Sequence, residues 1–98
     1  MANNQSKPNK QFWFHLANMY PEISQEDAVA SLLRDNNIVF TIPSKGCYKI
    51  NSNPSKCNGV MFYPRTGKVV VQTSSSNAGI SSTYDLPLLV VSAIQEYV

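Results

Sequence analysis

Apolar residues recur with a helical period at both ends of the chain and with a period of two in its middle. In QFWFHLANMY, Phe12, Leu16 and Met19 fall at i, i+4 and i+7, one stripe of a short helix. Pro21 closes it, because the residue before a proline is driven from helical angles. A second helix starts at Ser24, whose hydroxyl can cap the first turn, while Glu26 and Asp27 set negative charge against the positive end of the helix dipole. Its stripe is Ala28, Val29, Leu32 and Leu33, and Asn36 and Asn37 tolerate the left-handed angles that end a helix.

From Ile38 the period changes to two. In IVFTIP, Ile38, Phe40 and Ile42 alternate with Val39 and Thr41; Gly46 permits a turn; CYKI is a second strand; and NSNPSKCN is dense in turn formers. Two further strands, Val60 to Tyr63 and Lys68 to Gln72, flank Pro64-Arg65-Thr66-Gly67, a hairpin loop with proline where φ is fixed and glycine where φ is positive. SSSNAGISSTY reads as a long connection. Asp85 then caps a final helix, LPLLVVSAIQEYV, with Pro87 near its start and a stripe of Leu86, Val90, Ala93, Ile94 and Tyr97. Leu88 to Val91 is β-prone, but the alanine, glutamine and glutamate that follow favour helix. The expected fold is α+β: two N-terminal helices, a four-stranded antiparallel sheet, and a C-terminal helix packed on one sheet face. Residues 1–8 form a polar tail, and residues 9–98 form one domain.

Pairing Tyr63 with Lys68 sets Phe62 against Val69, Met61 against Val70, Val60 against Val71, and Gly59 against Gln72. One face then carries Val60, Phe62, Val69 and Val71, the core. The other carries Met61, Tyr63, Lys68, Val70 and Gln72, joined by Thr41, Cys47 and Lys49 if the earlier strands follow the same alternation. A tyrosine, lysines and a glutamine on one face can lay a ring against sugars or bases while ammonium groups hold phosphates, or can lie against another protein. A one-residue slip would exchange the faces, so this pairing decides the reading.

Composition narrows the classes. The chain has 98 residues, enough for one compact core, and its 43% hydrophobic and 14% charged residues fit neither disorder nor a membrane span. No apolar run approaches about 20 residues and the first ten are polar, so a soluble, cytoplasmic protein without a membrane partner is expected. Asn36 to Tyr84 holds five bases (Lys45, Lys49, Lys56, Arg65, Lys68) and no acid, a charge of +5; elsewhere three bases face six acids, −3, giving the net +2. That polarity suits a polyanion, although lysines also keep strand edges from pairing with other chains. Arg65 at the hairpin tip can reach a phosphate or keep the turn wet.

Cys47 and Cys57, ten positions apart without neighbouring histidines, lack the ligand count of a structural zinc site and read as buried or half-buried free thiols. His15 lacks the partners of a catalytic base. No Gly-rich phosphate loop, paired-acid motif or metal spacing occurs, so the expectation is a non-enzymatic protein with no cofactor and no metal. Three consecutive aromatics, Phe12-Trp13-Phe14, cover more than one helix face, so one ring is left for solvent or for a neighbour. Trp13 is the candidate for such an interface, and an exposed sheet edge with spare aromatics would let two copies pair as a homodimer.

The stretch Ile38 to Gln72, with its IVFTIPSKG…VMFYPRTGKVVVQT layout, resembles the TATA-binding-protein-like amino-terminal domain of type III ribonuclease H. The matching residues are Tyr63, Gly67, Lys68 and Gln72, with Val39 and Phe40 upstream; Thr73 stands where that family commonly has glycine. The family's catalytic domain has no counterpart in these residues, so the resemblance implies a binding surface alone, one that holds duplex or hybrid nucleic acid on a curved sheet. The expected function is a small module that binds nucleic acid backbone through Lys49, Tyr63, Arg65, Lys68 and Gln72. The alternative is a small protein of the kind phages and mobile elements encode, which binds and inhibits or adapts a partner protein.

Overall fold

The computed structural model describes residues 7–73 and 79–98. Helices α1 (Lys10–Met19) and α2 (Gln25–Asp35) are followed by strands β1 (Phe40–Ser44), β2 (Cys47–Ile50), β3 (Gly59–Tyr63), β4 (Lys68–Gln72) and β5 (Ile80–Thr83), and then by helix α3 (Pro87–Gln95). The strands form one antiparallel meander in the order β1-β2-β3-β4-β5. The α+β class, the helix order and the single-sheet layout agree with the sequence reading; the number of strands is five, not four. The expected tail falls mostly within residues 1–6, outside the described residues.

The fifth strand comes from the stretch read as connection. ISST offers a single apolar side chain, Ile80, which is 54% exposed, so alternation could not reveal it. What places it is backbone pairing: Lys68 to Val71 each find a partner in Thr83 to Ile80. An edge strand needs little side-chain burial once a ladder is there to join.

Helix termini follow local chemistry. The Ser24 hydroxyl accepts from the Asp27 amide at 3.2 Å, capping α2. Asn37 adopts φ 61°, and the amide of Ile38 turns back to the Leu33 carbonyl at 2.9 Å. Ile38 is therefore part of the helix ending, and β1 begins two residues later than the alternation predicts. Asn9 caps α1, its Oδ1 accepting from the Phe12 amide at 3.1 Å. The Asn9 Nδ2 group donates to the carbonyls of Thr66 and Tyr84 and to the Asp85 carboxylate, at 3.1, 3.2 and 3.0 Å. Asp85 thus serves Asn9 and does not cap α3, whose N-cap is Leu86, without a side-chain bond.

The core lies between the helices and one sheet face. Phe12 and Phe62, both fully buried, meet edge to face at 5.9 Å, and the Tyr48 ring lies 6.2 Å from that of Phe62. Leu16, Leu32, Val60, Val90 and Ile94 close around them. Two predicted stripes shift. In α3 the buried positions are Pro87, Val90, Val91 and Ile94, and Leu86 faces out. In α1 Met19 is exposed because the helix ends there and Tyr20, one residue on, packs against the core instead.

Candidate nucleic-acid interface

The hairpin register is the one the turn chemistry predicts: Gly59↔Gln72, Val60↔Val71, Met61↔Val70, Phe62↔Val69 and Tyr63↔Lys68. Gly67, at φ 71°, closes the turn, and a side chain there would run into the Tyr84 carbonyl oxygen. Across the neighbouring ladders Lys49 lies opposite Met61 and Thr41 opposite Lys49, while Ser81 lies opposite Val70. Because side chains alternate between faces, one face of the sheet carries Thr41, Lys49, Met61, Val70 and Ser81 in one row. The next row carries Cys47, Tyr63, Lys68 and Thr83.

Among the described residues no helix covers this face, since the core residues of the strands all come from their opposite side. Lys49 and Lys68 are exposed, whereas Met61, Tyr63, Val70 and Gln72 are half-buried by their neighbours in the sheet. Burial first, and the neighbouring Cys47 second, push the pKa of the Tyr63 phenol up. The ring therefore stays neutral at physiological pH. Cys47 and Cys57 are both free and buried, Cys57 within the core and Cys47 in the open-face row of Tyr63.

Strands β1 to β5 contain no acidic residue. Glu26, Asp27 and Asp35 belong to α2, Glu22 to the turn before it, and Asp85 and Glu96 to the ends of α3. Of the five bases between Asn36 and Tyr84, Lys49 and Lys68 stand on the open face, while Lys45 lies in the β1–β2 turn, Arg65 lies in the β3–β4 turn, and Lys56 donates to the Val98 carbonyl at 3.3 Å.

Of the residues singled out from sequence, Lys49, Tyr63, Lys68 and Gln72 share the open face. Arg65 and Trp13 do not belong to it. The Arg65 carbonyl accepts from the Asn9 amide at 2.8 Å and from Trp13 Nε1 at 3.3 Å, which ties the turn to α1 on the helix side. Trp13 is half-buried, edge to face with Phe12 at 5.2 Å, and Phe14, at 62% exposed, is the ring left to solvent. His15 sits beside Phe14, ring to ring at 5.4 Å.

Sequence reasoning did not anticipate a groove of about 480 Å³ on the helix side, between α2 and the β1–β2 hairpin. Trp13, Phe40, Ile42 and Tyr48 line it, together with Arg34 and Lys45. Ile42 points toward the helical layer as alternation requires, yet is 53% exposed because the helices stop short of it. Glu26 and Asp27 also border the groove, and after burial their charges are what raise the pKa of the Tyr48 phenol. Both charge signs therefore meet in the groove, whereas the open face presents only cations. For a polyanion the open face is the better electrostatic fit.

No protein-family model, no curated protein and no solved structure matches the chain.

Proposed function

We propose that this protein is a small non-enzymatic binding module that holds nucleic acid on its open sheet face. The observation that carries the reading is the joint placement of Lys49 and Lys68 beside Met61 and Tyr63, on an uncovered face whose strands contain no carboxylate. Phosphates gain from the two ammonium groups and release condensed counterions, while the tyrosine and aliphatic side chains accept sugar or base surface. The resemblance of Ile38 to Gln72 to the amino-terminal domain of type III ribonuclease H points the same way.

Reversing both charges, Lys49→Glu with Lys68→Glu, tests this. Both residues are exposed, so the fold is expected to survive while binding to a labelled oligonucleotide is lost. Wild-type affinity should fall with salt along a slope set by about two phosphate contacts, some −1.4 to −1.8 in log K against log salt. Unchanged affinity in the double variant would overturn the proposal.

A second reading, a protein that docks on a partner and inhibits or adapts it, draws on a different surface. Phe14 and Met19 of α1 and Leu88 and Leu89 of α3 are exposed apolar side chains, and a shallow groove between His15, Met19, Leu86 and Leu88 measures about 320 Å³. Affinity capture from a lysate with and without nuclease separates the readings. Loss of the captured material on nuclease treatment supports the first, and salt-insensitive capture that a Phe14 or Leu88 change abolishes supports the second.

A further inference from the structure

The centre of the open face bears on which form of nucleic acid it takes. Two adjacent rows from β2, β3 and β4 make a block of six side chains: Lys49, Met61 and Val70 in one, Cys47, Tyr63 and Lys68 in the other. The two ammonium groups stand at opposite corners, their Cα atoms about 12 Å apart from the spacing of strands and the rise along them. Between them lie Met61, Tyr63, Val70 and the Cys47 thiol, none of them charged. The tyrosine is half-buried among these neighbours, so part of its side-chain freedom is already lost before a ligand arrives.

Duplex and single strand would meet this block differently. A duplex keeps its bases stacked inside and turns phosphate and sugar outward, so closing on the face would press charged oxygens over Met61 and Val70 and strip their water without a partner. An unpaired strand can splay a base out of the stack. Its apolar ring face then fills the space between the lysines while the flanking phosphates reach the two corners. We infer that the open face takes single-stranded nucleic acid, seating a base on Met61 and Tyr63 between phosphates held by Lys49 and Lys68. This rests on the reading of that face as a nucleic-acid interface, and it departs from the duplex or hybrid preference that the family resemblance implies.

The test measures fluorescence anisotropy of the full chain with three labelled probes of about twelve nucleotides: oligothymidine, a DNA duplex of equal length, and an RNA–DNA hybrid. Oligothymidine is expected to bind roughly tenfold or more tighter than either paired probe. Tyr63→Ala should weaken it by roughly tenfold to a hundredfold while changing duplex binding little, with Tyr63→Phe close to wild type. Met61→Thr, which keeps a strand-forming residue at a half-buried position, should weaken oligothymidine binding in the same direction should Tyr63→Ala fail to fold. Duplex or hybrid binding as tight as oligothymidine would overturn the single-strand inference and leave the nucleic-acid reading standing. Failure of all three probes to bind would overturn both.

Discussion

Replacing Asn9 with alanine should destabilise the fold far more than a residue at the edge of the first helix ordinarily would. The side chain does two jobs at once. Its Oδ1 accepts from the Phe12 amide as N-cap of α1, and its Nδ2 donates to the carbonyls of Thr66 and Tyr84, holding the β3–β4 turn against the end of β5. Loss of a helix cap costs about 1 kcal/mol. Each of the two part-buried carbonyl bonds adds about 0.5 to 1.5 kcal/mol, and the exposed bond to Asp85 adds little. The expected loss is about 2 to 4 kcal/mol, a fall in Tm of roughly 10 to 30 °C for a domain of this size.

Urea titration followed by Trp13 fluorescence measures it. Asn9→Ser separates the jobs, since serine keeps the capping acceptor and loses the donors; it should cost about 1 to 3 kcal/mol. Asn9→Asp also keeps the acceptor but sets a carboxylate among two carbonyl oxygens and Asp85, so at neutral pH it should be no better than alanine. It should recover in part as the pH falls toward about 4. Asn9→Ser matching wild type, or Asn9→Ala within about 0.5 kcal/mol of it, would refute the view that this side chain joins the helix to the sheet.

Gly67→Ala should cost more than about 2 kcal/mol, because the left-handed φ and the approach of the Tyr84 carbonyl both penalise a side chain. Gly46→Ala, at φ 81° with nothing within 4 Å, should cost only the backbone term of about 1 kcal/mol, and the two are compared by thermal unfolding. The Tyr20 hydroxyl donates to Asp35 at 2.8 Å, and burial followed by this bond raises its pKa to about 12. Being raised in the folded state, it adds stability that is intact below pH 10 and lost between about 10 and 12. An absorbance titration should show a phenol ionising near pH 12 that Tyr20→Phe removes, and a wild-type titration complete by about pH 11 would contradict the assignment.

The elements most legible in the sequence were those whose signal is local. Ser24, the Asn36-Asn37 pair and the Pro-Arg-Thr-Gly turn each state their backbone geometry in adjacent residues, and the hairpin register followed from the turn. With the register came the two faces, so Lys49, Tyr63, Lys68 and Gln72 could be grouped before any coordinates. Features set by partners distant in the chain were not legible. β5 exists because β4 offers it a ladder, and Asn9 acts on atoms 57 and 75 residues away. Arg65 at the hairpin tip reads as a residue that can reach a phosphate or keep the turn wet, and neither reading contains the bonds by which its carbonyl ties the turn to Asn9 and Trp13. The groove beside Ile42 escaped for a similar reason, since alternation gives the side a residue faces but not how far the covering helices extend.

The claim on which the functional account turns is that ligand meets the uncovered side of the sheet. Amide and methyl chemical shifts of labelled protein, followed while a short oligothymidine is added, test it residue by residue. The account predicts that the largest changes fall on Lys49, Met61, Tyr63, Lys68 and Val70, with Val60, Phe62 and Val69 between them changing less. Changes gathered instead around Trp13, Phe40 and Ile42, or no changes at all, would contradict it.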